Sequence, residues 1–375
     1  MSSRINCQEK YFISQAEYAK QIRPLLPSEA FNPNINKLWI LLINLAILIL
    51  GWGIADYLDQ WRWYFLPLYL PFSLIMGNSV IVLLFSTHDL LHSKTIKNPF
   101  LRKTISLFSL AILWMPPTLW HAVHNREHHN KTNSLADPDR NYLFKQPKNW
   151  GKWIQNLFVP SVEVHPIWLI IGNAHAWGVH TFRNLTSVLF FNNGLTQYPP
   201  ASFQVSSKER KAIALELVVI IVFHLSVLIY LDFHPIKLLL GYFLPVWIGY
   251  SGIMFYIYTN HMLCRMTPVN DPLVNSISLR VPKIFDLLHF NFSYHTEHHI
   301  FPNLNSDYYP VVQDILLTHY KDRFNLIEAQ KAWSLMLETP RHYKDEETFT
   351  DWSGTKSVPC PLSAEKTSPK IVSTK

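Results

Sequence analysis

Two pairs of apolar runs, each near the length that crosses a bilayer, constrain this chain more than any other feature. Residues 38–56 and 63–87 form the first pair, separated by the short turn Tyr57–Arg62; residues 212–231 and 236–258 form the second, joined through Asp232–Pro235. A helix needs about 20 predominantly apolar residues to span the hydrocarbon core. In lipid, only helices and closed barrels satisfy their own backbone. The runs therefore predict an all-α membrane protein with four transmembrane helices in two hairpins. Each hairpin returns the chain to the side it came from, so residues 1–37, 88–211 and 259 onward share one face.

Nearly half of the residues are apolar, yet the mean hydropathy stays near zero, because long polar segments dilute the greasy runs. Residues 104–120 are apolar too, but the run is short and broken by Pro116 and Pro117, which suits an interfacial or half-inserted helix. The two hairpin turns and their edges hold only Arg62 and Lys237, while the remaining Lys and Arg lie elsewhere. By the positive-inside tendency the larger face is cytoplasmic. The expected organisation is a cytoplasmic N-terminal segment 1–37, a membrane domain 38–340 whose cytosolic helical cap comes from 88–211 and 259–340, and a polar tail 341–375. The tail is rich in Ser, Thr, Pro and Lys and is expected to be disordered. A long polar leader precedes the first apolar run, so no cleaved signal peptide is expected.

The three cysteines, Cys7, Cys264 and Cys360, form no CxxC pair, so neither a disulfide framework nor a thiolate site is supported. Metal chemistry here is imidazole chemistry. Nine histidines fall in three clusters: His88 and His92 in HDLLH; His121, His124, His128 and His129 in HAVHNREHH; His295, His298 and His299 in HTEHH. Positions three or four apart share a helical face, so His88 with His92, His124 with His128, and His295 with His298 or His299 can each aim two rings at one point. The doubled histidines diverge by about 100° on a helix, which lets sequence neighbours reach different ions.

Packing gives no reason for four histidines within nine residues, since imidazole fills cores poorly. Imidazole suits Zn, Cu, Fe and Ni, and eight or more such donors exceed what one tetrahedral ion uses. Two ions are the simplest answer. Asp89, Glu127, Asn130, Asp137, Asp139 and Glu297 are candidates to accept the other ring N–H and fix the tautomer. His261, just after the fourth run, is a candidate extra ligand, since ionisable residues at a span edge are often functional; His289 also lies nearby. His165, His175, His180, His224, His234, His319 and His342 stand outside the boxes and read as surface or core residues.

HDLLH after the second run, HNREHH in the middle segment and HTEHH after the fourth together resemble the boxes of the membrane fatty acid desaturase family, over roughly residues 40 to 320. The resemblance implies a mushroom-like bundle of four membrane helices under a cytosolic cap and two iron ions (Fe2+) held mainly by histidine. It also implies O2-dependent desaturation of a fatty acyl chain. The implied metal ligands are His88, His92, His124, His128, His129, His295, His298 and His299. The second box is one residue longer than the commonest HxxHH, a variant the family also uses, and His121 is the alternative to His124. The Asn260–His261 pair is similar to a further ligand region in related desaturases.

Taking O2 to two waters needs four electrons, two from the substrate carbons and two from a donor. No cytochrome b5-like haem motif and no GxGxxG is apparent, so the resemblance implies a separate ferredoxin or cytochrome b5, and the formal charge of +7 would favour an acidic carrier. The other expected partners are a lipid acyl substrate and the bilayer; no nucleic-acid partner is expected. The nearest rival function is a histidine-box lipid or carotenoid hydroxylase or ketolase. A more distant one is a membrane metal transporter, whose ligands belong at mid-membrane.

Overall fold

The computed structural model describes residues 12–93, 95–138, 157–191 and 203–362. Four helices are long and apolar enough to cross a membrane: Asn36–Gln60, Trp63–His92, Ser207–Tyr230 and Pro235–His261, the first to fourth spans. The second span runs five residues past the apolar run, so HDLLH occupies its own final turns and does not follow it. The third starts earlier than its apolar residues do, because Ser206 and Glu209 form a capping box: the Ser206 hydroxyl accepts from Glu209 N at 3.2 Å and the Glu209 carboxylate from Ser206 N at 2.7 Å. The run 104–120 becomes α2 (Pro99–Ala111), whose N-cap is Asn98, then a turn and the short helix Pro117–Trp120. The other helices used below are α1 (Gln15–Ile22), α3 (Pro166–Thr186), α4 (Lys283–Leu288), α5 (His295–Ile300), α6 (Tyr309–His319) and α7 (Ala329–Glu338).

The chain divides into two compact units. One, Asn34–Ala122 with Ile170–Phe255, contains nearly all of the four spans. Here the second and fourth spans approach at glycine: a Cβ on Gly77 would meet Ile248 Cγ2 at 2.5 Å, and one on Gly249 would meet Val80 Cβ at 2.5 Å. Small residues permit such close helix contact in lipid, where dispersion and not the hydrophobic effect holds helices together. Several of its polar groups are paired. Buried Lys237 binds Asp232 (2.9 Å), Asp56 (3.1 Å) and Asp59 (3.4 Å), tying the two hairpin turns together. Buried Glu216 accepts from the Thr118 amide (2.9 Å) and hydroxyl and faces Lys103 at 2.7 Å. His224 accepts from or donates to Tyr242 Oη at 2.6 Å through Nδ1, lies 2.9 Å from the Ala111 carbonyl through Nε2, and stacks on Trp114 at 4.0 Å.

The second unit comprises Met1–Pro33, Val123–Leu169 and Tyr256–Lys375. Its core joins α1 to α5 and α6: Tyr18, Ile22, Ile300, Phe301, Leu304, Tyr309, Val312 and Leu316 are buried together. Arg323 and Asp271 form a buried ion pair at 2.6 Å, with Arg323 also donating to Tyr18 Oη and Asp271 accepting from Ile13 N at 2.9 Å. The described part of the N-terminal segment is thus packed into this core. Strand β1 (Ser278–Arg280) pairs in parallel with β2 (Leu326–Glu328), Ser278 opposite Leu326.

The expected disordered tail is corrected as far as Leu362. Strands β3 (His342–Tyr343), β4 (Thr348–Thr350) and β5 (Ser357–Pro359) form an antiparallel meander. Tyr343 and Phe349 stack edge-on at 4.8 Å beside buried Met266 and Cys360. Asp351 shapes the β4–β5 turn by accepting from Thr355 N (2.8 Å) and Lys356 N (3.0 Å), with Gly354 left-handed at φ 78°. A polar composition was outweighed by two aromatic anchors and one turn. Residues 1–11 and 363–375, including Cys7, lie outside the described residues.

Candidate metal centre

The second histidine box is not α-helical. Residues His121–His128 form a π-helix, followed by a turn of α-helix over His129–Lys131. The wider winding changes which histidines share a face, and it corrects the expected pairing of His124 with His128. Nε2 of His124 lies 3.2 Å from Nε2 of His129, five residues on. His128 is turned to a different set. The alternative first ligand, His121, is exposed and belongs to neither set.

The third box sits on α5, every residue of which is buried. Its apolar end, Ile300 and Phe301, is fixed in the core of α1 and α6, and this anchors the histidines ahead of it. Nε2 of His299 lies 3.0 Å from Nε2 of His295, one helical turn away, while His298 points elsewhere and places Nε2 3.1 Å from that of His129. His261, the last residue of the fourth span, brings Nε2 to 2.8 Å from His295.

Two sets of donors result. In the first, His128, His261, His295 and His299 offer ligand atoms all within 4.8 Å of one another, and all four rings are buried. In the second, His124, His129 and His298 do the same. The sets are adjacent: the His129 and His299 rings are 4.7 Å apart. In the membrane unit, His88 and His92 lie on the last turns of the second span with rings 4.8 Å apart, and His88 meets Trp120 edge-on at 6.1 Å.

Each of five rings has its Nδ1 held by an outer partner, and His261, His295, His298 and His299 among them turn Nε2 inward. His128 Nδ1 is 3.0 Å from both oxygens of Asp137. His261 Nδ1 donates to the Asn275 carbonyl at 2.9 Å. His298 Nδ1 lies 3.0 Å from Tyr309 Oη. His299 Nδ1 lies 3.2 Å from Thr132 Oγ1, whose own proton goes to the His128 carbonyl at 2.7 Å. Asn260 Nδ2 is 3.1 Å from His295 Nδ1; ligation through Nε2 leaves the proton on Nδ1, and turning the amide over brings its oxygen there to accept it. Asp137 is itself fixed by accepting from Asn133 N at 2.7 Å, with Asn133 in the left-handed region at φ 54°, a conformation Asn tolerates.

This donor set fits metal ions. Inward nitrogens at 2.8–3.2 Å present lone pairs to one another, which repel unless a cation lies between them. With metal–nitrogen bonds of ~2.1 Å, two ligands at a right angle are separated by about 3.0 Å. Burial, then the neighbouring His295, His129, His261 and His128, holds His299 well below the ordinary imidazole range. The ring is therefore neutral, as a ligand must be.

The acidic neighbours are placed as follows. Asp137 meets His128. Asp89 lies 3.6 Å from the Lys37 ammonium, and Glu127 pairs with Arg126 and Lys131. Asn130 donates to the Arg126 carbonyl at 2.6 Å. Glu297 is buried against Ser278 and Gln313, and burial pushes its carboxyl up to about 7. Asp139 lies outside the described residues. Thr132, Tyr309 and the Asn275 carbonyl were not singled out from sequence. Tyr309 falls in the stretch after the third box, but nothing in its spacing marks it as a partner of His298.

A family model for fatty acid desaturases matches residues 63–326. A search of curated proteins gave no match. The matched stretch is well over half of the chain and contains all three histidine boxes, and so this membrane protein belongs to the fatty acid desaturase family.

Proposed function

We propose that this chain is an O2-dependent fatty acyl desaturase that introduces a double bond into a lipid acyl chain through two histidine-held iron ions. The single observation that carries the reading is the convergence of seven buried imidazoles into two adjacent sets, six of them with Nε2 turned to the Nε2 of another. His128, His261, His295 and His299 hold one ion. His124, His129 and His298 hold the other, and the family's box pattern implies His88 and His92 as further ligands. When bound, such a pair supplies the activation of O2 needed to oxidise an unactivated methylene, which no side chain achieves alone.

The residues of the chain supply orientation and dryness. Asp137 keeps the His128 proton on Nδ1 and so keeps Nε2 available as a donor. Asn275, Asn260, Thr132 and Tyr309 do the same for their partners. Burial of α5 excludes water from the ligand side of the third box. Tyr256, whose hydroxyl is 2.9 Å from His289 Nδ1, packs edge-on against Phe292 at 5.8 Å, and Phe292 in turn lies 5.7 Å from His295. That aromatic wedge restricts how the His295 ring can tilt.

Following the charge bias of the loops, the site faces the cytoplasm, where a separate ferredoxin or cytochrome b5 delivers electrons. A transporter would need ligands along a path at mid-membrane, whereas His92 and His261 end their spans. The test is expression in a host of known lipid composition, with mass spectrometry of the acyl chains and iron analysis of the purified protein. Loss of two hydrogens from a host acyl chain, abolished in His128→Ala and His298→Ala, is the expected result. Addition of oxygen would make it a hydroxylase, and an iron-free protein indifferent to both substitutions would overturn the di-iron reading.

A further inference from the structure

We propose that α4 is a membrane-surface element that lies in the headgroup and upper acyl region of the leaflet where the fourth span emerges. Its sequence, KIFDLL, buries none of its six residues. Leu287 is 77% and Ile284 55% exposed, and Phe285 and Leu288 are exposed as well. A patch of that kind marks an interaction surface. Many of the chain's exposed large apolar residues, such as Ile43, Leu50, Leu215 and Val222, lie on the spans, where lipid covers them. Helix α4 has the same character outside any span.

Its depth is set by its neighbour. His289, the residue that ends α4, is bonded to Tyr256 Oη, and Phe292 packs on the Tyr256 ring. Tyr256 lies five residues before the end of the fourth span at His261, roughly 7.5 Å of helical rise inside it. A helix tethered at that level lies beside hydrocarbon and headgroups.

The polar residues of α4 agree with this placement. Asp286 accepts from Ser293 Oγ and is partly buried, so the only acid is directed back to the protein. Lys283 carries a stem long enough to take its ammonium to the headgroups. The chain then reverses through two successive left-handed residues, Phe290 (φ 57°) and Asn291 (φ 56°). Such a backbone is disfavoured for a residue like Phe, and Asn291 secures the turn by donating to the Ser306 carbonyl at 2.9 Å. The reversal lets the chain enter the interface and be back at His295 within four residues.

The occupant is the bilayer and not a protein partner, because four of the six residues of α4 are exposed and apolar and the helix is tied through His289 to a span that is itself in lipid. The test uses the full-length protein with Cys7→Ser, since Cys264 and Cys360 are buried. It is labelled with an environment-sensitive fluorophore at Leu287→Cys, at Ile284→Cys or, as control, at exposed Lys331→Cys on α7, in nanodiscs of phosphatidylcholine and phosphatidylglycerol. At 287 and 284, acyl-chain nitroxide lipids should quench severalfold more than at 331, and aqueous iodide severalfold less. Iodide quenching equal to that at 331 would show α4 facing water and overturn the proposal. Shielding from both quenchers would show a protein covering it, with the same consequence. Neither readout involves turnover or iron, so the result is separable from the desaturase reading.

Discussion

His224 and His299 are both buried imidazoles, yet their ring nitrogens are used in opposite ways. His224, in the membrane unit, has both ring nitrogens engaged by the protein, Nε2 at the Ala111 carbonyl and Nδ1 at Tyr242 Oη, and its face covered by Trp114. His299 has Nδ1 at Thr132, while Nε2 is directed at the Nε2 of His295. A satisfied core histidine terminates its hydrogen bonds within the protein. A ligand histidine commits one nitrogen to the protein and turns the other toward its own kind. The difference separates a satisfied core histidine from a proposed ligand more sharply than burial, which the two share.

The contrast is broken most directly by truncating each ring. His299→Ala should abolish desaturation and remove one ion from each chain, read by product analysis and by iron quantitation of purified protein. A variant that kept its iron would erase the distinction. A subtler intervention leaves the ring in place and changes its outer partner. Asp137→Asn should cost about 10–100-fold in metal affinity, measured by competition with a chelator, and should preserve the helical content seen by circular dichroism.

His224→Phe probes the other side. It leaves the Tyr242 hydroxyl and Ala111 carbonyl without this partner and should cost about 1–3 kcal/mol of stability, while iron content and turnover per folded molecule hold. The smallest effect concerns His289, a satisfied histidine outside the spans that burial pushes down to about 4. Between about 4 and 6.5 the unfolded chain carries a proton there and the folded one does not. Its contribution to stability is therefore complete above about pH 6.5 and is lost as pH falls toward 4. Thermal melts of the metal-free protein over that window should show a shallower pH slope in His289→Gln than in the parent chain.

The membrane part of the fold was legible because a span of about 20 apolar residues is a composition signal needing no tertiary context. The boxes were legible because so dense a histidine cluster has no packing explanation. What escaped was register and reach. Whether His124 pairs with His128 or His129 depends on a π-helical winding that the letters HAVHNREHH do not encode. The partners that fix the tautomers are a backbone carbonyl at Asn275, a hydroxyl at Thr132 and a phenol at Tyr309, each supplied by folding and not by spacing. Strands of two or three residues in β3 to β5 are too short to show an alternating pattern, so the polar stretch after Arg341 concealed a small sheet.

Helix α5 sends His295 and His299 to one donor set and His298 to the other, all on six buried residues whose far end is locked into an apolar core. A carrier shared in this way couples the two loading events: an ion held by His295 and His299 also fixes the side-chain position of His298 that a second must grip. Iron should then enter and leave in pairs, and half-filled protein should be scarce at every stage of a titration.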